Sequence, residues 1–405
     1  MNTVRKSVCL LAMAGLHAQS LLAQDPEVLT RIRARMLFNL QHQPNYTCIE
    51  TIERSSRAKS TDKLTIIDTL RLEVALVDGR EMFCWPGAKK FEEFDVIRMF
   101  PNGAIGSGDF SAHAHALFAT SVATFHFRGQ EDFQGRTALR FDYKVPQSLS
   151  RYQVRVASAS AIVGYHGWFY ADPQTLDVER IEVLVDDIPQ ELRLSAVDDQ
   201  IDYAETRIGE GDFLLPSESK LTLVDLDGRE DRNLTRFTSC RRFTGESVLT
   251  FGDVPPEKQG NNSEVAPIPT REFDLPEGLE VQLVLTQQVD LDTAAIGDPV
   301  HARVDRDVKQ NGEVVIPKGA LAVGRITRLE KHVDFSILGM MFPELDAPGI
   351  VAHMKGRLEN IVGIAPYRSH RALGVRTPQQ PGEGLFPVMA TQRHLAKGCI
   401  LLWRN

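Results

Sequence analysis

The stretch 161–189, AIVGYHGWFYADPQTLDVERIEVLVDDIP, constrains the fold of this chain more than any other. Two extended runs meet at Asp172-Pro173-Gln174-Thr175, and in the second Ile181, Val183 and Val185 alternate with Arg180, Glu182 and Leu184. A period of two around a polar turn predicts an antiparallel pair with one buried and one largely wet face. The pattern recurs. Leu70, Leu72, Val74 and Leu76 alternate with Thr69, Arg71, Glu73 and Ala75 and stop at Asp78-Gly79, while Leu139, Phe141, Tyr143 and Val145 alternate with Arg140, Asp142 and Lys144. The run 221–226 ends at Asp227-Gly228. Asp-Gly between alternating runs is a hairpin turn signal.

Two helices interrupt the strands. Asp25-Pro26 reads as an N-cap with proline at the first helical position, and Val28, Leu29, Ile32, Met36 and Leu40 then follow helical spacing to about Gln41. Ser107 to Phe118 reads as a short capped helix with Phe110, Ala114, Leu117 and Phe118 on one side, ahead of a strand over 122–128. A long antiparallel sheet with one or two helices laid on a face is a mainly β, α+β arrangement.

The first residues read as a signal peptide, 1–23. Arg5 and Lys6 form the basic region, 8–16 the apolar run, and Leu16-His17-Ala18 or Leu21-Leu22-Ala23 the cleavage site. The apolar run is far below the roughly 20 residues a spanning helix needs, and no later segment is apolar enough to span a bilayer. Val8 before Cys9 argues against a lipoprotein. Removing 1–23 takes Arg5 and Lys6 and no acid, moving the net charge from −8 to −10. A chain this acidic lacks the clustered basic surface that nucleic acid requires.

Composition divides the remainder. The stretch 253–272 holds Pro255, Pro256, Pro267 and Pro269 with Gly260, Asn261, Asn262 and Ser263, and reads as a linker between a domain over 24–252 and another over 273–405. In the second, short strands are punctuated by Gly297-Asp298, Pro317-Lys318-Gly319 and Lys397-Gly398. About 130 residues of that kind suit a small closed β-barrel, which removes exposed sheet edges.

Four cysteines lie beyond residue 23: Cys48, Cys84, Cys240 and Cys399. None has C-x-x-C spacing, and four cysteines allow three pairing schemes. Cys48 sits near the first strand and Cys240 near the last strand of the first domain, ends that often meet where a sheet curls. A Cys48–Cys240 bridge would contribute about 5 kcal/mol under the chain-entropy model; four buried free thiols are the alternative.

No catalytic, cofactor or metal signature stands out. His113 and His115 form H-x-H on a helical pattern, where i and i+2 face apart. The run 225–231 lacks calcium-loop spacing and is explained by a D-G turn. No G-x-S-x-G, H-E-x-x-H or P-loop appears. The aromatics lead further: Phe125, Phe127, Phe141, Tyr143, Trp168, Tyr170 and Phe213 fall on predicted strands, and on the hollow face of a curved sheet they would line an apolar groove. The competing expectation is that helices fill that face and make these residues ordinary core.

The helix-then-strands order and GWFYADPQTLDVERIEV make residues 26–251 similar to the LolA/LolB-like fold, a curved antiparallel half-barrel closed by a few helices. That resemblance implies a periplasmic or outer-envelope location in a Gram-negative-type bacterium and binding of a lipid or lipoprotein acyl chain in the hollow. The chain also resembles a group of exported bacterial proteins of the same two-part layout through NYTCIETIER and the run from LPSESK to TGES. IGDPVHARV, GEVVIPKGALAVGRI and LAKGCILLWRN resemble the small barrels of TrbI/VirB10-type envelope proteins, implying an assembly or docking module with an envelope partner. Three functions follow as expectations: a non-catalytic acyl-chain binder, a structural or assembly protein with no small ligand, and an envelope hydrolase. The last needs two carboxylates roughly 5 to 10 Å apart in a cleft.

Overall fold

The computed structural model describes residues 14–61, 63–88, 91, 112–156, 159–243, 270–366 and 381–405, with side chains from Pro26 onward. The expected linker as far as 269, the first thirteen residues of the expected signal segment, and the Ser107–Ser111 start of the short helix lie outside the described residues. The strands are β1 (Tyr46–Arg57), β2 (Thr65–Val77), β3 (Arg80–Cys84), β4 (Thr124–Phe133), β5 (Arg136–Val145), β6 (Gln153–Val156), β7 (Ala159–Ile162), β8 (Gly164–Ala171), β9 (Val178–Asp186), β10 (Leu194–Ile208), β11 (Gly211–Asp225) and β12 (Glu230–Arg242). Ten of them form one curled antiparallel half-barrel in the order β3-β2-β1-β12-β11-β10-β9-β8-β5-β4, and β6 and β7 pair separately.

The turns are those that the sequence writes. At the β8–β9 turn the Asp172 carboxylate accepts the Gln174 and Thr175 N–H groups at 2.7 and 2.8 Å. Asp78 and Gly79 both adopt positive φ, as a two-residue hairpin demands. Asp225 accepts the N–H groups of Asp227 and Arg229, both at 2.9 Å, so this aspartate-rich run serves a turn.

Helix α1 (Ala14–His42) packs Ile32 and Met36 into the hollow of the sheet. It begins earlier than Asp25-Pro26 and carries Pro26 within it. The residues ahead of Pro26 are rich in Ala, Leu and Gln, which favour the helix and carry it across the missing N–H. Asp177, just past the β8–β9 turn, holds α1 in place: it accepts from Arg35 Nε at 2.8 Å and Asn39 Nδ2 at 3.3 Å. The short helix α2 (Ala112–Ala114) widens into a π turn over His115–Ala119 and adds Ala114, Leu117 and Phe118 to the same core.

Strand β4 ends the half-barrel. Thr124, His126, Arg128, Gln130 and Asp132 on it are exposed, and its register shifts between Phe127 and Gly129, where glycine takes φ +108°.

The second sheet draws on β13 (Arg271–Asp274), β14 (Glu280–Leu285), β16 (Pro299–Val304), β19 (Leu321–Lys331), β20 (Phe335–Ala347), β21 (Ile350–His353), β22 (Arg357–Ile361), β23 (Glu383–Met389) and β25 (Ile400–Arg404), while β15 (Val289–Asp290) pairs only with β24 (His394–Leu395) and β17 (Val308–Gln310) only with β18 (Glu313–Ile316). Its path runs β13-β21-β20-β19-β16-β14-β25-β22, with β23 paired to the other half of β20. It curls into a small barrel as β23 closes on β22: a Cβ on Gly384 would stand 2.3 Å from Leu358 Cβ. Trp403, Phe342 and Leu338 fill its interior. The two sheets meet where Ile296 forms a parallel bridge with Leu70.

Cys48 and Cys240 are joined by a disulfide across β1 and β12, 192 residues apart in the chain, and Cys84 and Cys399 are free thiols. Closing a loop of that length stabilises the fold by about 5 kcal/mol in the chain-entropy model. Peptide mapping without reductant is expected to recover Cys48 linked to Cys240. The pair of substitutions Cys48→Ser and Cys240→Ser is expected to lower the urea midpoint, and an unchanged midpoint would refute the stabilising role.

Candidate functional site

The inner face of the half-barrel can be read as two adjacent rows of side chains crossing nine strands. One row runs Phe127, Phe141, Phe169, Ile181, Ile201, Ser219, Thr235, Ile52, Leu70 from β4 to β2. Its neighbour runs Phe125, Tyr143, Gly167, Val183, Asp199, Leu221, Asn233, Arg54, Asp68. The first row is aromatic from β4 to β8 and aliphatic beyond, broken only by Ser219 and Thr235; the second is aromatic on β4 and β5, aliphatic at Val183, and polar from β10 to β2 apart from Leu221. The hollow is therefore amphipathic along its curve.

At the aromatic end Phe141 stacks on Phe169 with ring centroids 5.1 Å apart, Phe127 lies 4.8 Å from Phe141, and Phe118 meets Phe169 edge-on at 5.2 Å. Phe141 and Tyr143 are 1% and 3% exposed beneath α1 and α2, while Phe125 and Phe127 stay partly exposed toward the β4 edge. The Tyr143 hydroxyl donates to the Glu182 carbonyl at 2.7 Å, crossing above Gly167, where a Cβ would stand 1.9 Å from that carbonyl oxygen.

The seven aromatics expected to line one groove are thus distributed over more than one surface. Phe125, Phe127, Phe141 and Tyr143 share the hollow. Trp168 and Tyr170 alternate with buried Gly167, Phe169 and Ala171 on β8, so the pleat turns them to the outer face. There the Arg140 guanidinium lies 4.8 Å from the Trp168 ring centroid, and Tyr170 stacks on Phe133 at 4.5 Å. Ion pairs of Arg140 with Glu131 and Asp142, and of Arg180 with Asp202, cover this surface. Phe213, near the β10–β11 turn, joins a separate cluster with Tyr46, Leu215 and Phe237.

The polar end escaped the sequence reading. Arg54 and Asp68 form a buried ion pair there, with Nε 2.6 Å from Oδ1 and a second contact through Nη2. Asn233 Nδ2, opposite Arg54, is buried without a hydrogen-bond partner. Glu50 is fully buried with both carboxylate oxygens unpartnered. The signal was present in Y-T-C-I-E-T-I-E-R: Glu50 and Arg54 share the parity of Tyr46, Cys48 and Ile52, so polar groups occupy core-facing positions. His113 faces in, 4% exposed, with Nε2 3.6 Å from Asp199 Oδ2 and its ring edge-on to Tyr152 and Tyr165; His115 faces out. Among the described residues, no helix is long and apolar enough to cross a membrane.

Burial, reinforced by the charge of Glu81, raises the Glu50 carboxyl well above its ordinary range. The folded protein then keeps a proton that the unfolded chain releases above about pH 4.3. The contribution of Glu50 to stability is complete below that pH. It is lost as pH rises toward the folded value, with a slope of at most about 1.4 kcal/mol per pH unit. Glu50→Gln is expected to remove this slope and to be more stable than the parent at pH 8 in urea titrations. Identical pH profiles would contradict the assignment.

No family model matches the chain, and no curated protein matches it. Several solved structures match at a low level, three of them as follows. A DUF1329 family protein from Desulfovibrio piger has 9% identity and a TM-score of 0.33 over 55% of this chain and 94% of its own. A domain assigned to outer-membrane lipoprotein sorting from Vibrio parahaemolyticus has 10% identity and a TM-score of 0.31 over 54% and 93%. MucB in complex with MucA(peri) has 14% identity and a TM-score of 0.18 over 90% and 98%. Similarity at this level does not establish common function.

Proposed function

We propose that this is an exported, non-catalytic envelope protein whose half-barrel holds a lipid or lipoprotein acyl chain against its inner face, with the barrel docking it to an envelope partner. The observation that carries the reading is the graded second row of the hollow, aromatic at Phe125 and Tyr143 and polar from Asn233 to Asp68, which matches an amphiphile with its tail over Phe125 and Phe127. The rim of the aromatic cluster supports it as well, because Val28, Leu40, Phe125, Phe127, Tyr152 and Leu176 pack there yet stay partly exposed. Export to the periplasm or outer envelope is supported by the basic-then-apolar start of the sequence and by a disulfide, which persists in oxidising compartments.

The depth of Phe141 and Tyr143 favours the second reading, an assembly protein with a filled core. For a chain to reach those two rings, α1 must shift, and Asp177 with its contacts to Arg35 and Asn39 is the catch that holds it.

Titration with cis-parinaric acid separates the two. Saturable fluorescence displaced by palmitate is expected, with affinity falling at least tenfold in Phe127→Asp, or in the milder Phe125→Ser if the former folds poorly. Trp168→Ala, on the outer face, is expected to bind like the parent. No saturable binding by the parent protein would eliminate the carrier reading and leave the assembly role.

A further inference from the structure

The outer edge of β2 has two different neighbours along its length. β3 pairs with it only from Glu73 to Val77. Nearer Thr65 the barrel takes over: the Ile296 N–H donates to the Thr69 carbonyl at 2.8 Å, and the Arg71 N–H donates to the Ile296 carbonyl at 2.7 Å. The Arg71 guanidinium reaches both Asp298 oxygens, at 2.5 and 2.6 Å, and Asp298 also accepts the Ala295 N–H at 2.8 Å. The loop is tied to its own barrel through Ile326, which accepts from Gly297 N at 2.8 Å and donates to the Asp298 carbonyl at 2.9 Å. Gly297 adopts φ +101°, and a Cβ there would stand 2.3 Å from the Arg71 carbonyl oxygen and 2.6 Å from the Trp85 ring. Arg325 on β19 covers the other contact of this interlock, 5.3 Å from the Trp85 centroid.

The same short piece of β2 also builds the polar end of the hollow. Asp68, adjacent to Thr69, points inward to Arg54, and Leu70 lies opposite Ile52. A strand with a neighbour on one side only frays, and its opening free energy is low. We infer that docking of the barrel on the Thr69–Arg71 edge controls the order of the inner wall: docked, the Arg54–Asp68 pair is held dry; undocked, the 65–72 segment opens and the pair meets water. The coupling must be reciprocal, so loosening the inner pair weakens the barrel's hold. It goes beyond the ligand reading and holds whether or not the hollow carries an acyl chain.

Hydrogen exchange on the full chain tests it. Asp298→Ala removes the carboxylate, with its bonds to Arg71 and the Ala295 N–H, and leaves the two backbone bonds of Ile296 to β2 in place. It is expected to speed exchange at least tenfold in peptides covering 52–57 and 65–72, with β5, β8 and β9 unchanged. Arg325→Ala, which removes the Trp85 contact and a hydrogen bond to Met341 Sδ at 3.6 Å and spares the Arg71–Asp298 pair, is expected to give a smaller acceleration in the same two peptides and keeps the test available if the first variant folds poorly. The reciprocal arm is Asp68→Asn, expected to speed exchange in peptides covering 294–298. Acceleration confined to 294–298 in Asp298→Ala, or protection of 294–298 unaltered in Asp68→Asn, would overturn the inference and reduce the interlock to a tether.

Discussion

The half-barrel depends on the pairing of β1 with β12. From β4 to β12 the strands of the sheet follow one another in sequence order, and β1 to β3 form a second meander of their own. A single long-range seam joins the two, in register from Arg57 opposite Glu230 to Tyr46 opposite Arg242, with one irregularity between Thr47 and Ile49. Local hairpins form readily, whereas a seam between residues this far apart must first overcome loop-closure entropy. The chain fastens it at both ends. Cys48 is bonded to Cys240 near one end; at the other, Arg57 meets Glu230 and Ser56 donates to Asp231 at 2.6 Å. Without the seam, the polar third of the hollow would lose its wall and Arg54 its place opposite Asn233.

Filling of the hollow is uneven. Helices α1 and α2 cover the aromatic third, where apolar burial at roughly 25 cal/mol per Å² supplies the core. Toward β2 one row of the lining turns polar beside Ile52 and Leu70, and polar groups without partners are costly in such a place. Glu50 and Asn233 therefore mark a region not optimised for packing alone. A buried ion pair such as Arg54–Asp68 is weak evidence for stability, since apolar replacements are often as stable. Its position beside the edge that the barrel grips gives it another role.

Much of the fold was legible because the chain marks its turns and keeps its period. Asp78-Gly79, Asp172 and Asp227-Gly228 each turned where expected, and the period of two over 181–185 and 70–76 gave the correct buried face. The cysteine pairing was legible because Cys48 and Cys240 flank the first and last strands of the sheet. The face of the aromatics was harder. In G-W-F-Y-A large rings occupy both parities, so hydrophobicity does not say which points inward; the partners Arg140 and Asp142 across β5 decide it. The inner polar row was missed for the opposite reason, because charged residues were assumed to face water. The interlock at Ile296 left no periodic trace at all, since one bridging residue and one glycine at positive φ write no pattern.

At the opposite flank of the half-barrel, β4 ends the sheet in a different way. Its pleat alternates aromatic rings with Arg128, Asp132 and other hydrophilic groups, and the irregularity at Gly129 twists the backbone out of plane. A neighbouring molecule approaching that border meets mixed charge and a mismatched ladder rather than a flat template. This rim is thereby shielded from sheet-to-sheet stacking, which closes one route to fibril growth.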